Sequence, residues 1–210
     1  MGLASYAVHS PGAQSKGMIR ARRLSRDDIK GLWAIDRSEL IDAVYRLEKG
    51  ALVLRRAHLD VRGWPPGEAQ KYTPILEACH DRGGWLHGLF DDRRLIGAAV
   101  LDSRFIGRDR DQLQLTFLHI GRTYRKQGWG RQLFAMATVE ARRRGARGLY
   151  ISATPSERTI DFYLRLGCRI SPEPDPELLE LEPEDVHLEY ALAQEPSNPP
   201  EPSGSRAPST

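Results

Sequence analysis

The sequence predicts a mixed α/β fold, because strands and helices follow one another along the chain. The apolar run 113–120 has the length and the β-branched and aromatic content of a buried strand, and residues 132–144 carry apolar side chains at helical spacing. A second strand at 148–153 and a second helix at 156–166 repeat that order. Upstream, residues 85–104 predict a hairpin whose second strand is apolar almost without alternation. These elements together favour one central sheet covered by helices.

The turn that joins the buried strand to its helix contains two glycines, Gly128 and Gly130. Glycine lets the backbone bend tightly and lets a ligand approach the main chain. The first turn of a helix has unpaired N–H groups and a partial positive charge, so this turn predicts an anion site, most often for phosphate. Arg125, Lys126 and Arg131 add full positive charges. An ordinary loop with basic residues for solubility is the alternative.

The region from 113 to 168 resembles the GNAT superfamily of acetyl-CoA-dependent N-acetyltransferases. The pyrophosphate loop of that family has the pattern Arg/Gln-x-x-Gly-x-Gly/Ala, and residues 125–130 match every fixed position. The pair Phe162-Tyr163 and the following Gly167 lie where the family has a late aromatic pair and a glycine. The family often has an asparagine where this chain has Ser156, which is a departure. Ser156 also predicts the N-cap of the second helix.

The resemblance implies a GNAT fold, with a central, mainly antiparallel sheet and helices on both faces. Strands 113–120 and 148–153 are then a parallel pair that splays apart. The implied function is transfer of the acetyl group of acetyl-CoA to a primary amine of a small molecule. One alternative is an acyltransferase that uses another acyl-CoA or an acyl-tRNA. Another is a non-catalytic module that senses CoA or binds a partner.

The resemblance also implies which residues contact acetyl-CoA, the acyl donor. They lie on the strand before the loop, on the loop and on the last helix: Leu118, Ile120, Arg125, Lys126, Gln127, Gly128, Trp129, Gly130, Arg131, Ser156 and Tyr163. In the family, the strand before the loop exposes main-chain groups to the pantetheine arm. The late tyrosine often protonates the leaving thiolate, and that role falls to Tyr163.

The general base is the weakest part of the pattern. Many members have a glutamate on the strand before the loop, but the nearest residues here are Thr116 and Phe117, which cannot accept a proton usefully. His119 is titratable, although strand alternation could point it away from the cleft, and a packed histidine remains the alternative. Water relayed to Glu39 or Asp36 is the other option.

The acceptor side is expected near the start of the chain. In the family, the first two helices and their connection line it, and this sequence predicts a helix at 25–35 and a second amphipathic helical segment at 40–47. Asp36, Glu39 and Asp42 are candidates to hold an ammonium group, or else they are solvated charges. Further predicted elements are a strand at 18–24, a strand at 51–59, a helix at 68–82 that contains Pro74, and a last strand at 183–192.

The chain of 210 residues predicts one domain, 18–194, with residues 50–67 as an insertion beside the acceptor cleft. Trp64 in this insertion either stacks on a substrate or covers an apolar patch. Residues 1–17 and 195–210 have the composition of a disordered leader and tail. The resemblance implies a homodimer as one expectation, because GNAT proteins are often dimers.

Composition excludes several other classes. The net charge of +3 is mild and acidic residues are interspersed with basic ones, which argues against a nucleic-acid surface. No apolar run is long enough to span a bilayer and no signal-peptide pattern begins the chain, so we expect no membrane partner and a cytoplasmic protein. The two cysteines and six histidines have no ligand spacing, so we expect no metal.

Overall fold

The computed structural model describes residues 18–193, so the predicted leader and the predicted tail lie outside the described residues. In chain order the strands are β1 (Arg20–Arg23), β2 (Glu39–Glu48), β3 (Ala51–Val61), β4 (Trp85–Asp91), β5 (Arg94–Ile106), β6 (Gln112–Ile120), β7 (Gly148–Ala153), β8 (Arg169–Ile170) and β9 (Val186–Ala191). The α-helices are α1 (Glu68–Asp81), α2 (Trp129–Arg143), α3 (Glu157–Arg165) and α4 (Pro176–Leu181), and 3-10 helices cover Asp27–Ala34 and Arg122–Tyr124.

Seven strands form the main sheet, in the order β1-β4-β5-β6-β7-β9-β8. All neighbours are antiparallel except β6 and β7, which are parallel. That pair is in register only from Gln112 opposite Gly148 to Gln114 opposite Tyr150. Beyond these residues the two strands diverge and leave a gap between them. The predicted sheet, mainly antiparallel with one splayed parallel pair, is confirmed.

Helices cover both faces of this sheet, as predicted. On one face, Leu133 of α2 and Ile160 of α3 pack into the larger apolar core. On the other face, Leu32 of the first 3-10 helix and Leu76 of α1 belong to a second apolar core. Strand β5 contributes to both cores, which explains its nearly continuous apolar sequence.

The predicted helical segment at 40–47 is wrong, because these residues form strand β2. Strand β2 pairs with β3 in a separate two-stranded sheet. The connecting residues Lys49 and Gly50 have φ of 51° and 81°, the left-handed values that a tight two-residue hairpin turn needs. Leucine and valine spacing in this segment fits a helix, but its β-branched and aromatic residues also suit a strand. Pairing with strand β3 selects the strand conformation over the helical one.

Two smaller differences have local causes. The predicted helix at 25–35 is a 3-10 helix, although Ser25 still bonds its first turn: the Ser25 hydroxyl donates to Asp28 at 2.7 Å. Helix α4 is not among the elements that the sequence predicts. It begins with Pro176, which needs no N–H bond in a first turn, and Asp175 caps it by accepting from the Glu177 and Leu178 N–H groups.

Candidate functional site

The loop between β6 and α2 presents a row of unpaired main-chain donors. Lys126 and Gly128 have φ of 61° and 87°, so the backbone turns through left-handed conformations before α2 begins. The first backbone bond of the helix runs from the Gln132 N–H to the Gly128 carbonyl, at 3.0 Å. Within residues 18–193, the N–H groups from 126 to 131 donate to no backbone carbonyl. Donors arranged in this way fit a phosphate group.

The two glycines of the loop serve different purposes. A Cβ on Gly128 would meet open space, so its positive φ is what requires glycine. A Cβ on Gly130 would lie 3.3 Å from the Phe162 ring and 3.8 Å from Ile120 Cγ1. Gly130 therefore lets the start of α2 pack closely against α3 and the end of β6. That packing brings the loop next to the gap in the sheet.

Arg125 faces the protein, not the open side of the loop. Its Nε donates to the Ile120 carbonyl at 3.0 Å, and its guanidinium lies 3.6 Å from the Glu39 carboxylate. Burial lowers the pKa of Arg125, and the charge of Glu39 opposes that shift. Lys126 and Arg131 are exposed, so they are the loop cations that a bound anion can meet.

Two other loop residues use their side chains locally or leave them unpaired. The Gln127 amide donates to the Thr123 carbonyl at 3.0 Å, which stabilises the turn before α2. The Trp129 Nε1 is buried and has no hydrogen-bond partner within the described residues. A buried donor without a partner costs free energy.

Strand β6 turns part of its main chain towards the gap. The Gly121 N–H donates to the Ile96 carbonyl at 2.7 Å. Because antiparallel bonds alternate along a strand, the main-chain groups of Leu118 and Ile120 point away from β5 and towards the side where β7 has diverged. The Ile120 carbonyl is taken by Arg125, which leaves the N–H groups of Leu118 and Ile120 open to the gap.

Helix α3 supplies Ser156 and Tyr163. The Ser156 hydroxyl accepts from the Thr159 N–H at 3.3 Å, so it caps the helix as predicted. Tyr163 is only 6% exposed, and its ring lies 6.2 Å from that of Phe134. Burial raises the pKa of Tyr163, and the negative charge of Asp185 contributes to the same shift. The phenol is therefore held in its protonated form.

The three acidic candidates near the start of the chain have separate local partners. Asp36 accepts from the Ser38 N–H at 2.9 Å. Glu39 pairs with Arg125 and, at 3.4 Å, with Arg158. The Asp42 side chain is 68% exposed on the hairpin. The structure does not bring these carboxylates together in one ammonium site.

An aromatic cluster covers β6 on the α1 face. Trp64 stacks on Phe117 with ring centroids 5.7 Å apart and meets His119 edge-on at 4.7 Å. Trp33 packs against the same indole at 5.0 Å. Burial lowers the pKa of His119 to about 3, and the charges of Arg37 and Arg125 add to that shift. His119 is therefore neutral and binds a proton weakly.

One residue that the sequence did not single out lies close to the gap. Asp185 precedes β9, and its Oδ2 accepts from the Ser152 hydroxyl at 3.1 Å. Burial raises the pKa of Asp185 to about 6, the charge of Glu182 raises it further, and the Ser152 hydrogen bond opposes both. No local pattern marks Asp185. Only the pairing of β9 with β7 places it there.

A buried polar chain lies on the same side of β7. The Asp175 N–H donates to the Tyr150 hydroxyl at 2.8 Å, and that hydroxyl lies 2.7 Å from His187 Nδ1. His187 is 5% exposed, and its Nε2 has no partner within the described residues.

Comparison with known families identifies the fold and the chemistry. Residues 53–168, more than half of the chain, match the family model described as Acetyltransferase (GNAT) family. The chain belongs to this family. The match contains the glycine loop and the Phe162-Tyr163 pair, so the predicted superfamily is confirmed. This GNAT protein is therefore an acetyl-CoA-dependent N-acetyltransferase. No curated protein matches it in sequence.

Solved structures share the fold at low sequence identity. Nourseothricin acetyltransferase is 21% identical, with a TM-score of 0.61, and the alignment covers 83% of this chain and 99% of that one. The PaiA N-acetyltransferase from Thermoplasma acidophilum, solved with coenzyme A, is 18% identical, with a TM-score of 0.57 and coverage of 82% and 98%. The ribosomal-protein-S18-alanine N-acetyltransferase from Escherichia coli is 15% identical, with a TM-score of 0.54 and coverage of 86% and 98%.

The described chain contains neither a membrane-spanning helix nor a cluster of metal-binding side chains. None of the helices within residues 18–193 is both long and apolar enough to cross a membrane. In that same range, no group of three or more His, Cys, Asp or Glu side chains is placed to hold a metal ion.

Proposed function

We propose that this GNAT enzyme acetylates the primary amine of a small molecule, with acetyl-CoA held at the loop 125–131. The row of unpaired N–H groups from 126 to 131 carries the donor side of this proposal, because such a row suits the coenzyme's pyrophosphate. The exposed cations Lys126 and Arg131 add charge at the same place. Gln127 and Ser156 support the loop and α3 through local hydrogen bonds.

The gap between β6 and β7 suits the reacting end of the coenzyme. The N–H groups of Leu118 and Ile120 open onto it, and an N–H aimed at the thioester oxygen would stabilise the charge that develops there. Tyr163 is our proposed acid for the departing thiolate. Its raised pKa keeps the proton available, and desolvation in the same site also raises the proton affinity of the thiolate.

A small acceptor suits the α1 side of the site. Trp64 stacks over β6 and is fixed by donating its Nε1–H to the Ile35 carbonyl at 2.9 Å. A fixed indole narrows the path by which an acceptor reaches the gap between β6 and β7. A narrow path favours a compact amine over a folded protein. Nourseothricin acetyltransferase is named for a small molecule, whereas the S18-alanine enzyme is named for a ribosomal protein.

Glu39 and His119 stay predictions as the base. Glu39 is paired with Arg125 and Arg158, so it would have to leave these partners to take a proton. His119 has a pKa near 3, which makes it a weak acceptor for the proton of an alkylammonium ion. We also infer a cytoplasmic location, where the two buried cysteines, Cys79 and Cys168, stay as thiols.

The test is release of free CoA thiol from acetyl-CoA in the presence of defined amines. The panel contains a polyamine, an aminoglycoside, an arylalkylamine, a free amino acid and a peptide with a free N-terminus. We expect turnover with at least one small amine and none with the peptide. Calorimetric binding of CoA without turnover of any amine would instead indicate a CoA-binding module. Light scattering after gel filtration tests the predicted homodimer.

A further inference from the structure

We propose that Asp185 is the general base that takes the proton from the acceptor's ammonium group, a role that rests on the acetyltransferase function proposed above. Asp185 supplies the base that strand β6 lacks, since Thr116 and Phe117 cannot act as bases. It also differs from Glu39 and His119, because it is neither paired with arginine nor lacking in proton affinity. Three lines of geometry support the assignment.

The first is position along the sheet. The last residue of β7 paired with β6 is Tyr150, opposite Gln114. Ser152 lies two residues further along β7, on the same face, where the gap has opened. Its hydroxyl holds the Asp185 carboxylate at 3.1 Å. Asp185 is thereby fixed at the edge of the gap that we assign to the thioester.

The second is the face of the sheet. Leu149 and Ile151 of β7 pack into the core under α2 and α3, so Ser152 points to the opposite face, where α1 and Trp64 lie. Asp185 shares that face through its hydrogen bond to Ser152. The carboxylate therefore lies on the side from which we expect the small amine to enter.

The third is the set of charged groups that surround Asp185. Glu182 acts on it from the preceding turn and Glu68 from the start of α1, and both raise its pKa. Arg37, from the segment before β2, lowers it. The charge of Asp185 in turn raises the pKa of Tyr163 of α3. The proposed base and the proposed acid thus have different proton affinities, as acid–base pairs in active sites require.

A buried ring nitrogen without a partner lies on β9, the strand that Asp185 precedes. His187 is opposite Ser152 in the register of β9 and β7, and its Nε2 has no partner in the described part of the chain. A buried polar atom without a partner is costly, and a polar atom of a bound substrate would satisfy it. This observation points to a ligand at the same place, independently of the acidic residues.

The proton balance follows directly. The Asp185 carboxylate takes one proton from the ammonium group, and the free amine then attacks the thioester carbon. As the carbon–sulfur bond breaks, Tyr163 gives its proton to the thiolate, and the second proton lost from nitrogen restores the phenol. The products are the amide, free CoA and one proton, which Asp185 releases to solvent. No oxidant, reductant or further reactant is needed.

The experiment compares Asp185→Asn with Glu184→Gln, a matched control that removes an adjacent surface carboxylate paired with Arg46. The readout is kcat/KM for thiol release against pH, with the alkylamine that the wild type uses best. We expect Asp185→Asn to lose about 10²-fold or more and to lose the acidic limb of the profile. We expect Glu184→Gln to match the wild type within about twofold, and both variants to bind CoA normally by calorimetry.

Hydroxylamine separates a base from a structural residue. It is largely uncharged at neutral pH and needs no deprotonation before attack, so Asp185→Asn should acetylate it at close to the wild-type rate. Ser152→Ala gives a second readout. It removes the hydrogen bond that lowers the pKa of Asp185, so the acidic limb should move to higher pH.

The outcomes distinguish the two levels of the proposal. If the wild type acetylates neither an amine nor hydroxylamine, the proposed function fails and the base role fails with it. If the wild type is active but Asp185→Asn keeps its rate and its acidic limb, only the base role is overturned. It is also overturned if the variant loses hydroxylamine and alkylamine turnover equally, or if Ser152→Ala leaves the limb in place.

Discussion

The two sides of the gap between β6 and β7 are built in different ways. The proposed coenzyme side is one continuous segment, from the end of β6 through the loop to α2, and its proposed binding groups are main-chain N–H donors. The proposed acceptor side combines side chains from distant parts of the chain, such as Trp64, Ser152 and Asp185. A site made of backbone can be damaged only by changing the backbone's conformation. A site made of side chains can be altered one group at a time.

The largest expected effect lies where the two sides meet, at Tyr163. Tyr163→Phe keeps the ring in its apolar surroundings and removes only the proton donor. General acid catalysis is typically worth about 10²–10⁴-fold, so kcat should fall by that order while CoA affinity changes little. Steady-state kinetics and calorimetry measure the two quantities. A kcat within threefold of the wild type would count against the acid role, and a lost affinity with intact turnover would make Tyr163 a binding residue.

The next effect tests the coenzyme side alone. Gly128→Val forces a β-branched residue into a backbone with φ of 87°, which such residues strongly avoid. The N–H groups from 126 to 131 should then lose their arrangement. Hydrogen bonds to charged groups are worth about 1.5–3 kcal/mol each, so we expect CoA binding to weaken at least tenfold. Unchanged CoA affinity in a folded variant would refute the loop assignment.

A smaller effect tests the acceptor side through stability. Burial raises the pKa of Asp185 from 3.8 to about 6 on folding. A carboxyl group raised in this way stabilises the fold most when protonated, and that contribution is lost as pH rises through about 6. Asp185→Asn should therefore increase the free energy of unfolding by up to about 3 kcal/mol at pH 8 and by less at pH 5. Urea unfolding at the two pH values measures this, and an equal difference at both would contradict the shift.

The smallest expected effect concerns neither side of the gap. A chain of residues 18–194 should keep its melting temperature within a few degrees and its thiol-release rate unchanged. The removed ends have too little apolar surface to offset the entropy of ordering them. A large loss of stability in a thermal scan would mean that one end packs on the domain.

The sequence alone determined the coenzyme side. Strand, glycine turn and helix are adjacent along the chain. Their periodicity and the positions of Gly128 and Gly130 are therefore enough to predict the local geometry. The same holds for Ser156, whose cap depends on a residue three positions away. Local interactions of this kind can be predicted from neighbouring residues, without the rest of the fold.

Only the tertiary structure decided the acceptor side. Residues 40–47 satisfy both a helical and a strand period, and pairing with β3 selects the strand. Arg125 belongs to the loop pattern, yet the segment around Glu39 draws its side chain inward. Asp185 became notable only through Ser152 and the burial that raises its pKa. In each case the deciding partner is distant in sequence, and a pattern of neighbours along the chain carries no information about such a partner.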